Sequence, residues 1–97
     1  MIIDKLNFIK TSEVCPEQYD VFDQKGNIVG YVRLRWGSLS CEYPDVGGKM
    51  IYSASVGCGW GGSFKSENQR QFFLKTIARR INDEIQSASE SIDRESE

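Results

Sequence analysis

Ninety-seven residues, 39% of them hydrophobic and 27% charged, make one small domain, because a typical domain takes roughly 100 to 150 residues and two do not fit. A net charge of −2 does not favour a general nucleic-acid binder, and the absence of histidine removes the usual imidazole acid and base. The charge is uneven: residues 88–97 hold four acids against Arg94, whereas Lys65, Arg70, Lys75, Arg79 and Arg80 stand against Glu67 alone.

The opening residues interrupt any signal-peptide core with Asp4, Lys5 and Asn7, and no stretch approaches the ~20 apolar residues of a membrane span. The expectation is a cytoplasmic protein with no membrane segment. Cys15, Cys41 and Cys58 are odd in number and widely spaced, which fits neither a disulfide framework nor close-spaced zinc ligands, so they read as reduced thiols.

LNFIK reads as an N-terminal strand and YDVF as a second, whose parity depends on the loop that follows. Asp23 to Asn27 has the Asp-opening, Gly-closing chemistry of a tight hairpin turn. If its loop has three residues, Phe22 points inward; if four, Tyr19 and Val21 do. Gly37-Ser38 suits a two-residue type II′ turn, which pairs Trp36 with Leu39, Leu34 with Cys41 and Val32 with Tyr43. The opposite parity then pairs Arg35 with Ser40 and Arg33 with Glu42. A two-residue loop at Gly47-Gly48 extends the same sorting, with Tyr43 facing Tyr52, Cys41 facing Ala54, Leu39 facing Val56 and Ile51 opposite Pro44.

A helix follows the glycine-rich stretch 57–62. Ser66 to Gln69 forms a capping box, and Phe73, Leu74, Ile77, Ala78, Ile81 and Ile85 make one apolar stripe at 3.6-residue spacing. The predicted fold is therefore α+β: an antiparallel sheet of four to five strands, a meander of hairpins, packed on one face by a single C-terminal α-helix. The domain is expected over 1–87, with the helix fading around 86–89 and 88–97 an acidic disordered tail.

Candidate chemistry is thin. Gly57, Gly59 and Gly62 match G-x-G-x-x-G, but no second strand and acidic residue follow the helix as a dinucleotide fold requires, and no Gly-Lys-Ser/Thr exists for a P-loop. The plain reading is a crossover loop, with Trp60 in it as a lid on the core or an exposed contact. No metal site, cofactor or catalytic residue is assigned, and the chain is not read as an enzyme. Tyr31, Arg33 and Arg35 alternate along one strand and project together; they are either a contact surface of interface-rich residue types or an ordinary solvated face neutralised by Glu42. Phe72 lies off the apolar stripe with Lys75 and Arg79, as an exposed contact or packed under Trp60.

The strings YDVFD and GNIVGYVRLRWG and the later GGSF-S-x-x-x-R resemble, across residues 19–85, small orphan proteins of phages and mobile elements of low-GC Gram-positive bacteria. That resemblance implies no catalytic residues. It implies an accessory role toward a host or defence-system protein. Two functions follow as expectations: a protein-binding module using Tyr31, Arg33, Arg35, Trp60, Phe72, Lys75 or Arg79, and, as the alternative, a nucleic-acid binder using the same basic and aromatic faces.

Overall fold

The computed structural model describes residues 1–11, 17–56 and 64–95, those from 89 on for their backbone alone. Six strands, β1 (Ile2–Ile3), β2 (Leu6–Lys10), β3 (Glu17–Phe22), β4 (Ile28–Arg35), β5 (Ser38–Tyr43) and β6 (Lys49–Ser55), precede one helix, α1 (Glu67–Glu95). They form a single antiparallel sheet in the order β1-β2-β3-β4-β5-β6, so every strand lies beside its neighbour in sequence. The architecture is the expected α+β sheet and helix, with six strands in place of four to five. The extra strand is β1, joined to β2 by Asp4 and Lys5, both in left-handed backbone at φ 51° and 69°. Asp4 is a residue type such turns favour, but Lys5 stands where glycine usually follows it.

The β3–β4 turn forms as its sequence dictates. The Asp23 carboxylate accepts from the amides of Lys25 and Asn27, both at 2.9 Å, and Gly26 supplies the φ of 85° that closes the turn. The outcome for β3 is the Tyr19 and Val21 parity: both are buried, and Phe22 is half-buried. Across the turn Val21 pairs with Gly30 and Phe22 with Ile28, leaving Val29 as a bulge residue.

The β4–β5 hairpin keeps the expected parity but shifts register by two residues; β5–β6 shifts by two as far as Cys41 and by three beyond its bulge, where Ile51, expected on the outer face, packs against the core. The β4–β5 turn is Trp36-Gly37, at φ 54° and 72°, which is the type I′ pattern and not II′ on Gly37-Ser38. Leu34 therefore pairs with Leu39, Val32 with Cys41, Arg33 with Ser40 and Tyr31 with Glu42. Trp36, expected on the core face, is 63% exposed at the hairpin tip. The β5–β6 loop spans Pro44 to Gly48 instead of two glycines, and its register sets Leu39 against Ala54, Cys41 against Tyr52 and Glu42 against Met50, with Ile51 as the extra residue. A shift of two preserves which side chains face inward, because the side-chain period of a strand is two.

The helix covers one face of this sheet. The Gln69 amide donates to Ser66 Oγ at 3.1 Å, and Gln69 Oε1 accepts from the Lys65 amide at 2.8 Å, so the cap forms with its return bond one residue before the expected position. Leu74, Ile77, Ala78 and Ile81 have no exposed surface, and Phe73 and Ile85 pack half-buried beside them against Phe8, Val21, Val32, Leu34, Leu39 and Cys41. Each large apolar side chain so buried contributes roughly 1.5–3 kcal/mol. The approach is close at Gly30, where an added Cβ would stand 2.7 Å from Ile81 Cδ1. Past Ile85 the helix continues to Glu95, so the segment expected to be unstructured is helical that far. Residues 86–95 contain neither Gly nor Pro to end it, and Gln, Ala, Glu and Arg are good helix formers.

Candidate interaction face

With the helix on one side, the other side of the sheet carries the outward parity of all the longer strands. Cross-strand pairing arranges it in rows. Arg35, Ser38 and Ser55 form one row; Gln18, Arg33, Ser40 and Ser53 form the next; Asp20, Tyr31, Glu42 and Met50 form a third, with Ile9 at its β2 end. The two-residue register shift decides how charge is arranged on this surface. Arg33 faces Ser40, not Glu42, so the neutralising pair expected on a plain solvated sheet is absent, and the first two rows contain two guanidiniums, serines and Gln18 without a carboxylate. Among the described residues no ion pair involves Arg33 or Arg35. Arg33 Nε is shielded from solvent and has no acceptor, which leaves a donor unsatisfied at a cost of about 1–3 kcal/mol.

Trp36 follows Arg35 at the tip of the β4–β5 hairpin. A bulky side chain in left-handed backbone costs roughly 1–2 kcal/mol. At 63% exposure Trp36 regains little of that through burial.

Of the residues proposed from sequence, Tyr31, Arg33 and Arg35 stand together on the sheet face. Phe72, Lys75 and Arg79 are exposed on the helix side directed away from the sheet, so the two groups occupy opposite sides of the molecule and do not make one surface. Phe72 is 64% exposed and meets the Phe73 ring in a T-shaped contact, with centroids 5.1 Å apart. Trp60, Cys58, Cys15 and the glycine-rich stretch 57–62 lie outside the described residues. Trp36, which the sequence reading placed in the core, is an exposed candidate instead.

The sequence reading also missed a buried polar cluster. Glu17 is 2% exposed, and its carboxylate accepts from Arg70 Nε at 2.7 Å, from Arg70 Nη2 at 3.2 Å and from the Tyr19 hydroxyl. Arg70 also pairs with Glu67 and lies over the Phe64 ring, 5.9 Å from its centroid. Burial by itself would raise the Glu17 carboxyl; the hydrogen bonds from Arg70 and Tyr19 and the charge of Arg70 outweigh it and hold the group below the ordinary carboxylate range. Burial and the bond to Glu17 push the Tyr19 hydroxyl up, and the bond to Glu17 raises Arg70. The cluster is a fixed ionic tie between β3 and α1. The signal was present in the alternation of Glu17, Tyr19 and Val21: an acid at an inward position requires a cation. The buried Cys41 thiol is pushed up to about 12, chiefly by burial, and stays protonated at neutral pH.

Among the described residues no group of three or more Cys, Asp or Glu side chains is placed to hold a metal ion, and no helix is long and apolar enough to cross a membrane. No protein-family model, curated protein or solved structure matches the chain.

Proposed function

We propose that this chain is a non-enzymatic protein-binding module whose contact surface is the open sheet face: Tyr31, Arg33 and Arg35, extended by Trp36. The observation that carries this reading is Trp36, a large aromatic held in unfavourable backbone and exposed at the hairpin tip next to Arg35, on a strand whose Arg33 and Arg35 form no ion pair among the described residues. Trp, Tyr and Arg are the residue types that dominate interface energetics. In the setting implied by the sequence resemblance, the partner is a host or defence-system protein. The helix side, with Phe72, Lys75 and Arg79, is a second, smaller candidate surface.

The test is affinity capture from nuclease-treated lysate with wild type, Trp36→Ala, the Arg33→Ala/Arg35→Ala pair and Phe72→Ala/Arg79→Ala. One stoichiometric protein retained by wild type and the helix variant, and lost by the sheet variants, is the expected result. Capture that disappears on nuclease treatment, or that only the helix variant loses, overturns it; the first outcome marks a nucleic-acid binder.

A further inference from the structure

We infer that the partner's contacting segment is an extended acidic strand reading acid-x-acid-x-apolar, laid along β4 from Arg35 toward Tyr31. This rests on the sheet face being the binding surface proposed above. Arg33 and Arg35 are two positions apart on one strand, so their side chains emerge on the same face about 6.6 Å apart, and an extended partner repeats its own same-face side chains at the same interval. Carboxylates at alternate positions thus meet both guanidiniums at once, each in the planar two-bond arrangement that arginine makes with carboxylate. Ser38 and Ser40 on β5, and Ser55 and Ser53 beyond them on β6, line these two rows with hydroxyl donors. The Nε of Arg33 is a donor without an acceptor among the described residues, and an arriving carboxylate supplies one once the side chain lifts from the sheet.

The third row sets the limit of the acidic register. Asp20 and Glu42 flank Tyr31 there, with exposed Met50 and Ile9 at the ends of the row. A further acid on the partner would face two carboxylates, whereas an aliphatic side chain would lie against Tyr31 and Met50. The same row disfavours a nucleic-acid strand, whose uniform negative charge would run from the arginine rows straight onto Asp20 and Glu42.

The experiment uses the full chain and three dye-labelled probes followed by fluorescence anisotropy: a peptide with two glutamates at alternate positions followed two residues later by leucine, a peptide of identical composition with adjacent glutamates and leucine placed before them, and a single-stranded oligonucleotide. The ordered peptide should bind most tightly, and Arg33→Ala and Arg35→Ala should each weaken it by about tenfold, the equivalent of ~1.4 kcal/mol, with unchanged circular-dichroism melting. Glu42→Gln should relax the discrimination against a peptide carrying a third acid in place of leucine. Equal binding of the two peptides, tighter binding of the oligonucleotide, or no peptide binding at about 1 mM overturns the inference. If peptide binding fails while the arginine variants still abolish protein capture, the surface is right and the acidic register wrong. If those variants leave capture intact, both readings fail.

Discussion

Replacing Arg70 by Met keeps most of the stem that lies over Phe64 while removing the charge that Glu17 faces. The carboxylate, 2% exposed, then retains only the Tyr19 hydroxyl. Breaking a buried ion pair by removing one partner costs roughly 3–5 kcal/mol. A ceiling comes from protonation, because Glu17 can escape by taking a proton. Starting from an ordinary glutamate pKa of about 4.3, that escape costs ~3.7 kcal/mol at pH 7 and nothing near pH 4. The expected loss is therefore about 3–4 kcal/mol at pH 7, a large share of the roughly 5–15 kcal/mol that holds a domain together.

The pH signature follows from the same group. In wild type the folded carboxyl titrates below its unfolded value, so its contribution is present above about pH 4.3 and is lost as pH falls through the lower folded value. In Arg70→Met the folded carboxyl is raised, and the penalty fades as pH falls, so the two proteins converge in acid. Urea unfolding followed by far-ultraviolet circular dichroism at pH 7 and pH 4.5 measures both. Glu17→Gln should cost less than Arg70→Met, because Arg70 retains 22% side-chain exposure and can be solvated. The double variant should fall short of the sum by ~2 kcal/mol. A loss below about 1 kcal/mol at pH 7, or a loss independent of pH, would refute the ionic tie.

Trp36→Asn should raise stability by about 1 kcal/mol, seen as a melting temperature higher by roughly 4–8 °C, since Asn tolerates the left-handed backbone that Trp occupies, and it should at the same time weaken partner capture. Gly30→Ala should lower stability by ~1–3 kcal/mol through the 2.7 Å approach to Ile81 Cδ1, and Ile81→Val, which deletes that methyl, should make the alanine cheaper in a double-variant cycle; additive urea midpoints would contradict the packing. Leu34→Asp, which sets an unpartnered carboxylate among Leu39, Ile77 and their neighbours, should unfold the domain, while Arg35→Ala should shift melting by less than about 0.5 kcal/mol; equal effects would invert the assigned faces.

Legibility from sequence divided along physical lines. The helix cap, the Leu74 to Ile85 stripe and the inward sets of β4 and β5 were readable because they depend on spacing alone. Pairing partners were not, because a hairpin at Trp36-Gly37 and one at Gly37-Ser38 sort the same side chains inward, and only the backbone of Trp36 separates them. That difference set Ser40 opposite Arg33 in place of Glu42, which leaves the two arginines at one end of the face and Asp20 and Glu42 at the other. β1 escaped notice because Lys5, where glycine usually stands, hides the turn that Asp4 opens. The tie between Glu17 and Arg70 spans 53 positions, beyond any local pattern, although the inward acid implied a partner somewhere. The helix past residue 86 was discounted because its sequence holds little apolar surface, yet nothing in its composition stops it.

The strict neighbour-to-neighbour order of the strands has a consequence for how the chain is made. Each hairpin closes over a short loop, so contacts are local and the sheet can zip up strand by strand as the polypeptide leaves the ribosome, without waiting for distant segments. The helix comes last. Until it has emerged, Phe8, Val21, Leu34 and Leu39 line one bare apolar wall, and the interval between completion of β6 and synthesis of Ile81 is the period in which a nascent chain is most exposed to aggregation or to a chaperone.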